Sequence, residues 1–507
     1  MRTNLFPIYK SLRYFRMFGS LLLSAIFLSG CVTPSVLPDP IQPVAPEWRH
    51  RGALPVAYTI DPATWWIAFN DAILNNLVDR ALRENLNLSQ ARHRLRAARA
   101  LVQPALAQGR PQVSGIATGQ QTQRLSGPGD TDLEHSTLEP DGTPILVEEA
   151  RGAGNWQTGF DAAWEIDLFG RVESQTDRAL ADVGIAEADV RAARVSVIAE
   201  VVRNYVELCA AQRRQILLRE SLDNQNHIEA LVRERREAGI DADLDLDRSL
   251  AAAAETAAQY QQQAQAIAGA VQRIAVLTGA PAIDDNLLRP AAQPQAVSLS
   301  LSIMPADLLR VRPDIQRAES SVAQASAEVG IAVAELYPRL TLTGTLNATG
   351  NLVGSQLPGR TSQIMGGLSI QIPLLDWGAR RAVVNAREAT LAAAIDGYRL
   401  AVLEGIQESE TALATIEAQR RRLIEETVRL EAAKRADIHA SALYRQGMIS
   451  LSERLEAGIN MKQAELAKTD TLEQQALAVI ALHKALGGAG LASSKVQAPP
   501  LPETSNR

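Results

Sequence analysis

Aromatic residues make up only 4% of this 507-residue chain, although 46% of it is apolar. A chain that draws its apolar surface from Ala, Leu, Val and Ile, set among Arg, Glu and Gln, has the composition of long helices packed on one another. Cysteine is almost missing as well, with Cys31 and Cys209 the only two. The six histidines, His50, His93, His135, His227, His439 and His483, are scattered without metal-ligand spacing. No phosphate-binding loop is present and no nucleophile has a recognisable base beside it, so no catalytic residue, metal or cofactor is expected. A net charge of -6 gives no basic footprint for nucleic acid. Beyond Gly30 no apolar run reaches the ~18 needed for a membrane-spanning helix, which leaves strands as the only means of crossing a bilayer.

The segment up to Gly30 sets the compartment. Arg2, Lys10, Arg13 and Arg16 precede an apolar run from Met17 to Leu28 that is too short to span, the pattern of a signal peptide. The run ends in Leu28-Ser29-Gly30-Cys31, which resembles the lipobox of bacterial lipoproteins. In that reading cleavage leaves Cys31 as a diacylated and N-acylated anchor, and Val32 rather than Asp after it fits sorting to the outer membrane. An ordinary secretory peptide is the alternative. With Cys31 used, Cys209 has no disulfide partner within the chain.

Beyond a proline-rich tether the chain repeats itself. Gly159, Gly170, Gly239 and Gly279 recur at one fixed offset as Gly367, Gly378, Gly447 and Gly487, which points to a tandem duplication. Each unit reads as helix, strand, strand, long helix, helix. The expected divisions are a signal peptide at 1-30, a lipidated tether at 31-62, a first repeat at 63-280, a linker at 281-304, a second repeat at 305-487 and a disordered tail at 488-507.

In the first repeat Asp71 to Gln108 is predicted as one helix. Trp156, Thr158, Phe160, Ala162, Trp164, Ile166 and Leu168 alternate with Gln157, Gly159, Asp161, Ala163, Glu165 and Asp167, a two-residue period long enough for a tilted membrane strand of ~9 to 11 residues. Gln112 to Thr122, Leu340 to Leu346 and Gly367 to Leu374 complete a set of four, and Ser126 to Gly154, with seven acids, reads as an external loop. A soluble sheet packed on its apolar face is the competing reading. Closing a membrane barrel takes at least about 8 strands, so four strands per chain favour three chains and 12 strands, with an interior wide enough for water.

Val172 to Ala238 and Ala379 to Gln446 each run without a single proline. At 1.5 Å per residue each would reach roughly 100 Å, and only neighbouring helices could cover such rods. Asp71 to Gln108 and Leu244 to Thr278 together approach the same length, giving each unit two rods and three chains twelve.

Leu309-Arg310-Val311-Arg312-Pro313-Asp314-Ile315, with Ala318-Glu319 and Tyr337-Pro338, resembles the hallmark segment of the outer-membrane efflux lipoproteins, the OprM/NodT-type branch of the TolC superfamily. Trp65-Trp66, Trp164-Glu165-Ile166-Asp167-Leu168-Phe169-Gly170 and Pro373-Leu374-Leu375-Asp376 match too. The resemblance implies a trimeric 12-stranded β-barrel on a periplasmic 12-helix α-barrel, a Gram-negative outer-membrane location, and a membrane-fusion adaptor and an inner-membrane proton-driven transporter as partners. It implies a passive exit duct and not an enzyme. The outer-membrane channel of a type I protein-secretion system is the alternative, and a periplasmic adaptor is disfavoured by the strand pairs.

The long helices are expected to turn at Gly239 and Gly447, and these tips are where a tapered tunnel closes. By the family pattern, Tyr444, Gly447, Glu453 and Glu456 occupy the gate positions of the second tip, with glutamate where relatives carry aspartate. Asp241, Asp243, Asp245 and Asp247 crowd the first tip, of which Asp245 and Asp247 are assigned to the gate. Several like charges near one axis disfavour full ionisation and attract cations. The arginine that locks some relatives is replaced by Ile449, leaving Arg445 or Arg454 as substitutes. Solvation and helix capping are the alternative roles for these acids.

Overall fold

The computed structural model describes residues 48-49, 62-123, 136-138, 144-146, 152-240, 242-282, 284-295, 312-351 and 361-488. The signal peptide, Cys31, most of the tether, part of the linker, Asp241 and nearly all of the tail lie outside them. In chain order the helices and strands are α1 (Ala72–Glu84), α2 (Leu86–Gln108), β1 (Gln112–Gln123), β2 (Ser136–Leu138), β3 (Pro144–Leu146), β4 (Gly152–Ile166), α3 (Arg171–Glu237), α4 (Asp243–Leu277), α5 (Pro313–Ala334), β5 (Arg339–Asn351), β6 (Thr361–Gln371), α6 (Ala379–Arg445) and α7 (Leu451–Ala485). The duplication is plain. One offset carries both ends of α3 onto α6, Arg171 onto Ala379 and Glu237 onto Arg445, and both ends of α4 onto α7, Asp243 onto Leu451 and Leu277 onto Ala485. A longer offset is needed to carry the start of β1, Gln112, onto the start of β5, Arg339. The extra length falls between the two strands of the first repeat, in the segment expected as a loop, where β2 and β3 form a short hairpin of their own.

The chain divides into two compact units. Among the described residues the first comprises Ala98–Ala181 and Ala323–Ala393, and holds a four-stranded antiparallel sheet in the order β1-β4-β5-β6. Its register aligns the pattern of β4, β5 and β6. Phe160 faces Leu346, which faces Ile364; Trp164 faces Leu342, which faces Leu368; Ile166 faces Leu340, which faces Ile370. Asp161, Thr345 and Met365, and Glu165, Thr341 and Ser369, line up one residue away on the other face. The apolar face is uncovered: Ile364 is 81% exposed and Leu368 59%. β1 and β6 each keep one edge without a strand partner in this sheet.

Two expected strands end early. β6 stops at Gln371 instead of Leu374, because Pro373 has no N–H for a ladder. β4 stops at Ile166 instead of Leu168, because Asp167 is taken by the next helix: its carboxylate accepts from the N–H groups of Arg171 at 2.8 Å and of Val172 and Glu173 at 2.9 Å. Asp376 does the same for α6, accepting from Gly378 at 3.0 Å and Arg380 at 3.2 Å. The acids of the two family motifs thus cap the long helices where the strands hand over to them.

The second unit comprises Asp39–Ala97, Asp182–Val322 and Ala394–Arg507. Its core joins Trp65, Trp66 and Phe69 with Leu74 and Val78 of α1, Val201, Val202, Tyr205 and Leu208 of α3, Ile274 of α4, Leu413 and Ile416 of α6 and Val479, Ile480 and Leu482 of α7. Each fully buried Leu or Val here contributes about 1.5–3 kcal/mol. α1 starts at Asp71, whose Oδ1 accepts from Ile73 N–H at 2.8 Å and Leu74 N–H at 3.0 Å while Oδ2 accepts from the Tyr205 hydroxyl at 2.8 Å.

The single helix expected over Asp71 to Gln108 is in fact two. Asn85 breaks it, with φ -63° and ψ 124°. Its side chain caps α2 by accepting from Leu88 N–H at 3.0 Å and donates to the Leu277 carbonyl at the end of α4 at 2.8 Å. A short polar side chain that serves two helix ends stabilises the break more than continuity would.

Candidate functional site

Both hairpin turns of the long helices lie in the second unit and share one geometry. Gly239 has φ +75° and Gly447 φ +74°. Gly239 N–H donates to Arg236 O at 2.9 Å and Ile240 N–H to Arg235 O at 2.8 Å; Gly447 N–H donates to Tyr444 O at 2.9 Å and Met448 N–H to Leu443 O at 3.0 Å. This is a left-handed C-terminal cap, which glycine adopts without the Cβ penalty. The sequence placed both turns at these glycines.

Past the second turn Ser450 caps α7 and forms a capping box with Glu453. The Ser450 N–H and hydroxyl both donate to Glu453 Oε2 at 2.8 Å, and Glu453 N–H donates back to Ser450 Oγ at 3.2 Å. Those hydrogen bonds hold the Glu453 carboxyl below the usual carboxylate range. Within one chain Glu453 therefore has a capping role in addition to the one assigned to it from the family pattern. Glu456, a turn further on, is exposed and lines a cleft of about 540 Å³ walled by α3, α4 and α7, with Arg248, Asp437, Arg454 and Lys462 around it.

The two arginines proposed to replace the missing lock are both engaged. Arg454 Nη1 donates to Asp437 Oδ1 at 2.7 Å, clasping α7 to α6 across Gly458, and Arg445 Nε donates to Ser441 O at 3.2 Å. Tyr444 keeps its hydroxyl oxygen buried with no hydrogen-bond partner among the described residues. At the first tip Asp243 pairs with Arg236, and Asp245 lies 4.0 Å from Arg248. Asp243 and Asp245 occupy the first turn of α4, where the helix dipole favours negative charge. Asp247 is exposed and makes no ion pair among the described residues. The cleft and the Lys462–Glu220 pair, 3.2 Å apart, join the second hairpin to the first, but none of Tyr444, Asp245 and Asp247 bonds to Glu453 or Glu456 among the described residues.

Sequence reasoning read Arg312 only as a family hallmark and missed what it does. Arg312 is 5% exposed; it grips Asp314 with two bonds, of 3.0 and 2.6 Å, reaches Glu408 of α6 at 2.8 Å and donates to the Ala485 carbonyl at the end of α7. Arg312 follows Asn85 by the offset that carries β1 onto β5, and Ala485 follows Leu277 by the one that carries α4 onto α7, so the two repeats close the end of the last helix with the same device. The glycines beside it complete the parallel. Gly279 has φ +65° and a Cβ there would lie 2.6 Å from Glu84 O; Gly487 has φ +68° and a Cβ there would lie 2.9 Å from Arg312 Cα. The signal was available as the common offset of β1 and β5, which maps Arg312 onto Asn85.

No helix among the described residues is long and apolar enough to cross a membrane. The family profile described as "Outer membrane efflux protein" matches residues 77–280 and 304–488. Nodulation protein T of Rhizobium leguminosarum bv. viciae is 29% identical over 96% of this chain and 95% of its own length. Outer membrane protein OprJ of Pseudomonas aeruginosa is 28% identical over 92% of this chain and 95% of its own. Among solved structures, the outer-membrane channel OprN superposes with a TM-score of 0.76 at 32% identity, covering 90% of this chain and 99% of that one. With matched motifs, duplicated architecture and near full-length similarity in agreement, this chain belongs to the outer membrane efflux protein family.

Proposed function

We propose that the protein is the passive outer-membrane exit duct of a tripartite efflux system, assembled as a homotrimer and anchored through an acylated Cys31. The observation that carries this reading is the sheet of the first unit: four strands, an exposed apolar face that runs across β4, β5 and β6, and two edges without strand partners among the described residues. Exposed strand edges and a bare apolar face are liabilities in water, and closure with other copies inside a bilayer removes both. Three copies supply 12 strands, facing lipid with Phe160, Leu346 and Ile364 and lining the lumen with Asp161, Glu165 and the threonines of β5. In this reading the signal peptide ends at residue 30, the tether reaches residue 62, and the repeats span 63-280 and 305-487. A periplasmic membrane-fusion adaptor and an inner-membrane proton-driven transporter feed the duct.

The gate lies at the hairpin tips, with Glu453, Glu456, Tyr444, Asp245 and Asp247 turned toward the axis where copies converge. Converging carboxylates raise local cation concentration and oppose full ionisation. Glu453→Gln with Glu456→Gln tests this cleanly, because glutamine keeps the capping box while removing the charge. In planar bilayers the double variant is expected to open to a larger mean conductance with reduced cation preference. Unchanged conductance and selectivity would leave the tip acids as helix caps only.

A further inference from the structure

The cleft that Glu456 lines is built from both hairpins of one chain. α3 contributes Gln225 and Ile228, α4 contributes Ser249 and Ala252, and α7 contributes Leu455, Ile459 and Met461. At about 540 Å³ it has the size of a small-molecule site, for which ~300 to 1,000 Å³ is usual. Ile228, Leu455, Ile459 and Met461 give it an apolar wall, and Ile459 is 39% exposed there. Apolar surface gathered in a concave site, with a few polar groups set into it, is the usual make-up of a ligand pocket.

Its polar groups are unequally satisfied. The arginine and lysine side chains of the lining already face acids: Arg454 Nη1 donates to Asp437 Oδ1 at 2.7 Å, Lys462 Nζ donates to Glu220 at 3.2 Å and Glu465 at 3.0 Å, and Arg248 lies 4.0 Å from Asp245. Of the two acids in the lining, Asp437 is thus held, while Glu456 has no cation partner among the described residues. Gln225 keeps its Oε1 buried with no hydrogen-bond partner among the described residues. Ser249, 3% exposed, donates its hydroxyl to the Leu246 carbonyl at 2.8 Å, so its oxygen is left to accept. Asn224 and His227 also line the cleft but are exposed, where water serves them. The unmet demand is for donors, and a buried acceptor without one calls for a bound group to supply it.

We propose that this cleft binds an amphiphilic organic amine. Its ring body lies against Ile228, Leu455, Ile459 and Met461, its protonated nitrogen meets the Glu456 carboxylate, and an N–H or O–H group reaches Gln225 Oε1. Charge favours an amine over a carboxylate ligand, because the cations of the lining are spent on Asp437, Glu220, Glu465 and Asp245 and the unspent charge is Glu456. The occupant touches α3 and α7 together, across the same gap that the Lys462–Glu220 pair spans. One chain is enough to form the site.

Glu456 is also one of the acids assigned to the gate, so the test reads binding and not conduction. Dansylcadaverine, a naphthalene sulfonamide with a primary amine on a flexible chain, is the probe. The full-length protein in dodecyl maltoside, with the signal of protein-free micelles subtracted, is expected to raise its fluorescence saturably at one site per chain. Ala252→Phe fills the cleft from α4 and should abolish that binding; Ile459→Trp fills it from α7 and serves if the first variant misfolds. Glu456→Gln, and separately the N-acetylated probe that keeps the ring and loses the charge, should each weaken binding about tenfold. No saturable binding to the parent, undiminished binding in a folded filling variant, or equal affinity for the acetylated probe would overturn the site. The readout needs no bilayer, so a protein that binds the probe but never conducts would sink the duct and leave this inference standing. A conducting trimer that ignores the probe would do the reverse.

Discussion

Arg312→Ala is expected to lower folding stability by about 2–3 kcal/mol, the usual scale for losing hydrogen bonds to a charged group together with a buried carbonyl left unpaired. The side chain is almost wholly enclosed, and among the described residues it satisfies the Ala485 carbonyl while tying the start of α5 to the middle of α6 through Glu408. Asp314 and Glu408 are about half exposed and rehydrate when the guanidinium is removed, which keeps the cost below that of orphaning a buried charge. Arg312→Lys should recover only part of the loss, since an ammonium cannot bind Asp314 with two parallel bonds and still reach Glu408 and the carbonyl. Asn85→Ala removes the neutral version of the same closure and should cost less, about 1 kcal/mol. Denaturant midpoints of the three variants check the order. An Arg312→Ala protein as stable as the parent would show that the hallmark segment is kept for some other reason than closing the repeat.

Acid is expected to destabilise the second unit through His483. This ring stacks on Trp65 with centroids 4.7 Å apart and planes at 8°, and neither of its nitrogens has a hydrogen-bond partner among the described residues. Burial pushes its pKa down to about 4 from the ordinary 6.5. The folded state therefore refuses a proton that the unfolded chain accepts between pH 6.5 and about 4. The stability present above pH 6.5 is lost progressively as pH falls through that window, by about 3 kcal/mol in all. Glu473 works in the opposite sense, because burial pushes its carboxyl up against the pull of Arg214 and protonation favours the folded form. His483→Phe keeps the stack on Trp65 without a titrating group, so its thermal midpoint should fall clearly less than the parent's between pH 6.5 and 4, the depressed carboxyl of Glu453 contributing a smaller loss near the acid end. The same acid slope in both proteins would assign the loss to other groups.

Much of the architecture was legible because it repeats. Gly170, Gly239 and Gly279 and their counterparts Gly378, Gly447 and Gly487 all take positive φ, so three of the four landmark pairs that revealed the duplication are positions where the chain needs glycine to turn, the fourth, Gly159 and Gly367, lying within strands. The strands were legible from alternation, and the register shows that the alternating faces of separate strands coincide. What escaped were local decisions set by tertiary partners. Asn85 interrupts a helix that periodicity alone continues, because the carbonyl it satisfies lies 192 residues away. Asp167 ends its strand by capping the helix that follows, while Pro373 stops β6 ahead of the Asp376 cap. At the tip, position told that Glu453 and Glu456 sit past a glycine turn, but Ser450 three residues before Glu453 was the stronger local signal, and it binds one of the two acids in a capping box. In the single chain Arg445 bonds the backbone of its own helix and Arg454 holds Asp437.

In the proposed assembly, copies of a four-stranded sheet close around water. Its most direct measurement is the single-channel conductance of the purified, full-length protein in a planar bilayer, taken with its detergent-corrected mass. The expected result is a trimer that passes ions in discrete, cation-preferring steps. A monomer that leaves the bilayer silent would contradict it, and would return the sheet to the role of a packed, water-soluble face.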